Sequence, residues 1–96
     1  MLFALLCTDK PNSVDLRMSV RPDHLKYLES LGSAVKAAGP FTTDEGQPTG
    51  TLAVIEAPDR AAAEAIAAND PYARAGLFAS VEIRPWKWLI KNPETT

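Results

Sequence analysis

Apolar positions in this chain come in short blocks separated by polar and breaker residues, and the spacing inside each block predicts its element. Met1–Cys7 (MLFALLC) is a continuous apolar run that stops at polar residues, the pattern of a strand buried on both faces. Thr8–Arg17 brings in Asp9, Pro11, Asn12, Ser13 and Asp15 and reads as an irregular loop. A helix is expected to start between Ser19 and Pro22. Ser19 would cap it, and Pro22 would sit in the first turn, where its missing N–H costs no bond. Leu25, Leu28, Leu31 and Val35 recur every three or four residues as one apolar stripe, and Gly39–Pro40 should end the helix with the glycine as a left-handed cap. Phe41–Glu45 is a weak second strand and Gly46–Gly50 a turn. Thr51–Ala57 (TLAVIEA) is a stronger strand. Asp59 then caps an alanine-rich helix running to Ala68, which Asn69–Asp70–Pro71 breaks. Pro71–Ala75 adds one turn ending at Gly76. Leu77–Ile90 is the last strand, and Pro85 places it at an edge or a bulge.

The order is β-α-β-β-α-β, the ferredoxin-like split βαβ arrangement of the α+β class, an antiparallel sheet with both helices on one face. The first and third strands are central in that topology, and they are the two with apolar residues on both parities. Helices cover one face only. The other needs a cover, and a second copy of the sheet is the economical one, so a homodimer through the open sheet face, an α+β barrel, is expected. No linker or repeat divides the chain, and residues 1–96 are read as one domain.

Composition narrows the classes of function. Apolar residues make up 46% and charged residues 23%, which fits a globular protein and argues against disorder. The net charge of −2 gives no basic excess for a polyanionic partner, so no nucleic acid is expected. The longest apolar run, Met1–Cys7, falls far short of the ~20 residues of a membrane span and has no basic region before it. Neither membrane contact nor export is predicted, and the cytoplasm is the expected location. One histidine and one cysteine leave no metal-ligand spacing, and no phosphate-binding or dinucleotide motif surrounds the glycines, so no metal or other cofactor is expected.

The fold also hosts RNA-recognition domains, which carry stacking aromatics on the third strand. Thr51–Ala57 has none. Arg84–Lys91 (RPWKWLIK) interleaves bases and aromatics, but it reads more simply as a strand burying Trp86, Trp88 and Ile90 on one face. Cys7 falls in the buried first strand, where it acts as a small hydrophobe. His24 is then the one side chain that readily exchanges protons near neutral pH. Its expected place is the first turn of the first helix, whose positive end would favour the neutral ring. A lone histidine is usually a surface residue, and Asp70, just before Pro71, is first of all an N-cap. Arg17, Ser19 and Arg21, around the expected helix start, are the candidates to bind an anionic substrate.

These stretches together resemble the YciI-like (YCII-related) family. The first signature is Arg17–Met18–Ser19–Val20–Arg21–Pro22–Asp23–His24–Leu25. The second runs through Asn69–Asp70–Pro71–Tyr72, Ala75–Gly76–Leu77–Phe78 and Val81–Glu82–Ile83–Arg84–Pro85–Trp86, with Gly39–Pro40 matching between them. The resemblance implies a ferredoxin-like subunit that pairs into an α+β barrel. It also implies an active site of one histidine and one aspartate, which fall on His24 and Asp70. Related barrels include enzymes acting on lactones and quinones, and one branch of the family removes chloride from a chlorinated aromatic ring. Two functions fit. One is a cofactor-independent lyase, isomerase or hydrolase using His24 with Asp70 as an acid/base pair. The other is a dimer that binds or senses a small anionic ligand without chemistry.

Overall fold

The computed structural model describes residues 1–94. Four strands, β1 (Leu2–Asp9), β2 (Val35–Thr42), β3 (Pro48–Glu56) and β4 (Phe78–Trp86), form one antiparallel sheet in the order β2-β3-β1-β4. Three helices, α1 (Val14–Ser30), α2 (Arg60–Asn69) and α3 (Pro71–Arg74), complete the split βαβ order. The two doubly apolar strands are the central pair, and Pro85 lies in an edge strand, where the ladder bond it cannot make is not needed.

Alternation along β1 sorts its two faces. Phe3, Leu5 and Cys7 are buried against Ala53 and Ile55 of β3 and the small face of α2, Ala63 and Ala67. Alanines let α2 lie close to the sheet, and Asp59 starts it by accepting the Ala62 N–H at 2.8 Å. The opposite face carries Leu2, Ala4 and Leu6, in register with Glu56, Val54 and Leu52. Among the described residues no helix covers that face, although Val54 is only 8% exposed. At its edge near the end of β1, a side chain on Gly50 would run into the Cys7 carbonyl, so the close approach of β3 to β1 requires glycine there.

Four expectations change. The first helix starts at Val14, not between Ser19 and Pro22: the Arg17 N–H already donates to the Ser13 carbonyl at 2.9 Å. Pro22 is an interior residue on the exposed side of α1, where solvent can take over from the N–H it lacks. Ser19 caps nothing; its hydroxyl donates back to the Leu16 carbonyl at 2.8 Å. The helix also ends earlier, because Gly32 (φ +57°) rather than Gly39 takes the left-handed conformation. A 3₁₀ turn, Gly32–Ala34, leads directly into β2, so Val35 and Gly39 pair with β3, and Thr43–Gln47 forms the turn.

The expected stripe is overturned as well. The two side chains α1 buries are Arg17 and His24, whereas Leu25 is 44% exposed. Lastly, β4 stops at Trp86 and the expected buried face of Trp86, Trp88 and Ile90 does not form: Trp86 is 41% and Ile90 79% exposed. Among the described residues no strand pairs with the chain beyond Trp86 to hold the alternation.

Candidate active site

Two residues 46 positions apart in the chain meet on the helical side of the sheet. His24 lies in the third turn of α1, and the corrected helix start removes it from the helix's positive end. Asp70 sits at the junction of α2 and α3, in the extended conformation that a residue before proline favours. Its Oδ1 accepts the Tyr72 N–H at 2.9 Å as the N-cap of α3. The same carboxylate lies 2.9 and 3.0 Å from His24 Nδ1, so capping and pairing are one arrangement and not alternatives. Both residues are buried, at 6% and 9% exposure. An ionised carboxylate can only accept, which puts the proton on Nδ1 and leaves Nε2 as the reactive nitrogen.

A second buried pair stands beside the first. Arg17 Nε donates to Asp9 Oδ2 at 2.7 Å, and Nη2 donates to Asp9 Oδ1 at 3.2 Å and to Thr51 Oγ1 at 2.6 Å. Burial alone would pull the Arg17 pKa down, but the Asp9 hydrogen bond and charge hold it above its ordinary value, so the guanidinium stays charged. Tyr72 joins the pairs. Its ring stacks on the His24 imidazole with centroids 4.0 Å apart and 18° between planes. The Arg17 guanidinium carbon lies over the same ring at 4.5 Å. Burial pushes the Tyr72 phenol above its usual range against the pull of the Arg17 and Arg21 charges, so it remains a neutral hydroxyl.

A cavity of about 240 Å³ opens over this cluster. Arg17, Arg21, His24, Thr42, Thr51 and Tyr72 supply its polar side chains, and Met18, Leu25, Leu28, Pro40 and Pro48 supply apolar wall. No acidic side chain lines it. Among the described residues every buried side-chain nitrogen and oxygen has a partner. Nε2 of His24 makes no protein hydrogen bond, so it keeps its contact with this space. The fold thus brings His24, Asp70, Arg17 and Arg21 of the expected residues together. Ser19 lies outside the cavity lining on exposed helix surface.

Asp9, Thr51 and Tyr72 were not among the expected site residues. Asp9 had one usable signal, an acid closing an apolar strand eight positions ahead of an arginine; Thr51 and Tyr72 had none outside the fold. No group of three or more residues able to ligate a metal occurs among the described residues. Cys7, buried in the core, has its thiol pushed up to about 12, chiefly by burial, and is no nucleophile at neutral pH. No described helix is long and apolar enough to cross a membrane.

Known proteins resemble this chain over most of its length. Protein YciI of Escherichia coli O6:H1 is 36% identical over 95 residues, spanning 91% of this chain and 97% of that protein. The solved 5-chloro-2-hydroxyhydroquinone dehydrochlorinase (TftG) of Burkholderia phenoliruptrix, in complex with 2,5-dihydroxybenzoquinone, is 34% identical with a TM-score of 0.84. That match covers 91% of this chain and 94% of the other. An antibiotic biosynthesis monooxygenase matches at 17% identity and a TM-score of 0.57, over 93% and 99% of the two chains, and shares the ferredoxin-like fold alone. The model of the YCII-related domain matches residues 1–87, which takes in all four strands, His24 and Asp70, and the chain belongs to that family.

Proposed function

We propose that this protein is a small-molecule enzyme in which His24, oriented by Asp70, acts as general base and then general acid, without a cofactor. The observation that carries the reading is the His24 Nδ1 to Asp70 contact at 2.9 Å beneath a cavity, with Nε2 left free of protein partners. In the reaction Nε2 takes a proton from carbon or oxygen of the substrate, and the bonding pair moves toward an electron-withdrawing oxygen. Asp70 stabilises the imidazolium, which returns the proton to another carbon or to a leaving group. Proton transfer of this kind is typically worth ~10²–10⁴ in rate. Fold alone would not support an enzyme. The 34%-identical dehydrochlorinase adds a relative whose bound quinone is a flat, acidic, single ring.

Arg17 and Arg21 are the proposed substrate-binding residues, and the acid-free wall suits an anion. We also propose that two copies pair through the sheet face that no described helix covers. Leu6 and Leu52 stand opposite each other there, and Leu52 remains 38% exposed.

The test is deuterium wash-in from D₂O into a panel of small lactones, hydroxyquinones and cyclic diketones, followed by NMR. The wild-type protein should accelerate exchange into at least one compound, and folded His24→Ala should not. Equal exchange in both proteins would end the catalytic reading. A compound that binds wild-type protein but neither exchanges nor turns over would favour the alternative, a ligand-sensing dimer.

A further inference from the structure

Arg17 commits only part of its guanidinium to the protein. Of its five N–H groups, the one on Nε and the two on Nη2 are used by Asp9 and Thr51. Nη1 donates in none of these bonds, and the Tyr72 hydroxyl is the one further protein oxygen that interacts with the guanidinium. Since no fully buried side-chain nitrogen among the described residues lacks a partner, Nη1 keeps contact with solvent, and the cavity is the space Arg17 lines. A residue only 5% exposed therefore turns Nη1 to the pocket from a mount fixed on the guanidinium's other edge.

The charges around that space nearly cancel. Asp9 offsets Arg17, and Asp70 offsets His24 once the imidazole is protonated. Tyr72 contributes no charge. Arg21, which makes no ion pair among the described residues, is the one surplus cation in a wall without carboxylates. One negative charge brought in by a ligand is thus matched, and a second would find no further cation in the lining to balance it. The span is short too. The Arg17 guanidinium carbon and the His24 ring both contact Tyr72, at 4.5 and 4.0 Å from its centroid, so they are no farther apart than those two contacts laid end to end.

We propose that the cavity selects small monoanions: Arg17 and Arg21 hold one anionic oxygen in the space that His24 also lines, and Asp9 sets the charge selectivity by cancelling Arg17. The substrate class this names, a ring-sized carboxylate, enolate or phenolate, rests on the acid/base reading of His24; the binding subsite stands without it.

His24 is the single histidine of the chain, so its ring signals report the cavity in NMR titrations of the intact protein. Benzoate should shift them saturably, and neutral benzamide, of the same shape, should bind at least tenfold more weakly. Monomethyl fumarate should likewise outbind fumarate, which has one more charge and a smaller frame, at least tenfold. Arg17→Lys keeps the charge facing Asp9 but removes Nη1, and should weaken benzoate at least tenfold. Arg21→Gln, at an exposed position, should do the same and serves if Arg17→Lys does not fold. Asp9→Asn should narrow or reverse the preference for monomethyl fumarate. Benzamide binding as well as benzoate, fumarate as well as its monoester, or benzoate indifferent to Arg21→Gln would each overturn the proposal. Arg17-dependent benzoate binding in a protein that exchanges no deuterium would leave the subsite standing and remove only the catalytic reading.

Discussion

Asp70 Oδ1 lies 2.9 Å from His24 Nδ1 and 2.9 Å from the Tyr72 backbone nitrogen, so one oxygen both orients the imidazole and starts α3. The two jobs can be separated by substitution. Asp70→Asn keeps an oxygen for the cap but loses the charge that holds the proton on Nδ1. Turnover, or deuterium exchange, should fall by about 10²–10⁴, while the melting temperature moves little. Asp70→Ala loses the cap as well, a further ~1 kcal/mol, which is ~4–8 °C for a domain of this size. Thermal melts beside the exchange assay check both. Equal melting temperatures for the two variants would deny the cap its part, and full exchange by Asp70→Asn would deny the pair its role in catalysis.

The Asp9–Arg17 pair makes a stability prediction of its own. Its charged groups are 5% and 6% exposed, so removing either partner strands a charge in a poorly solvated place. Asp9→Leu or Arg17→Met alone should cost roughly 3–5 kcal/mol, whereas the double substitution should recover most of that loss. Urea denaturation of the four proteins closes the cycle. Additive losses in the double variant would show that the two side chains act independently.

The sheet was legible from the sequence because β1 and β3 are apolar on both parities, the pattern of strands with both faces turned to apolar surroundings. The path between them was not. Leu25, Leu28, Leu31 and Val35 keep helical spacing across a real break, and only the left-handed backbone at Gly32 ends α1 before Val35 joins the sheet. Ser19 and Pro22 pointed to a helix start between them that the structure puts five to eight residues earlier, since a proline on an exposed helix side is tolerated when tertiary contacts hold the flanking turns. Of the site, His24 and Asp70 were reached through the family resemblance, because spacing along the chain says nothing of a contact across 46 positions. Arg17 passed for a surface cation. Its burial depends on Asp9 and Thr51 arriving from two neighbouring strands, which no local pattern encodes.

The sheet face that no described helix covers predicts assembly. Leu52 sits in the middle of it, paired with Leu6 on one side and Gly39 on the other. In a lone subunit Leu52→Lys changes a partly solvated site and should cost under about 0.5 kcal/mol. In a face-to-face dimer it places a charge in the apolar centre of the interface. Sedimentation velocity should therefore give the mass of two chains for the wild type and of one chain for Leu52→Lys, with little change in the far-UV spectrum. A wild-type protein that sediments as one chain at micromolar concentration would refute the pairing.

Cys7 supplies the pH prediction. Burial, aided by the Asp70 charge and only partly opposed by Arg17, lifts its thiol from 9.0 to about 12. The folded state therefore keeps the proton after the unfolded chain has released it. The sign follows from proton counts. Below pH 9 both states are protonated and the full contribution is present; above it the unfolded state binds fewer protons, so stability falls as pH rises toward the folded value. The slope approaches about 1.4 kcal/mol per pH unit for one such group. Urea midpoints measured from pH 8 to 10.5 should decline for the wild type and decline less steeply for Cys7→Ala, whose lower starting stability reflects the lost side chain alone. Tyr27 and Tyr72, also raised by burial, contribute in both proteins and drop out of the difference. The native thiol should also resist a disulfide reagent at pH 8 until urea exposes it. Parallel pH profiles for the two proteins, or rapid labelling of the folded one, would mean that Cys7 is not held in the core between Phe3, Leu5 and α2.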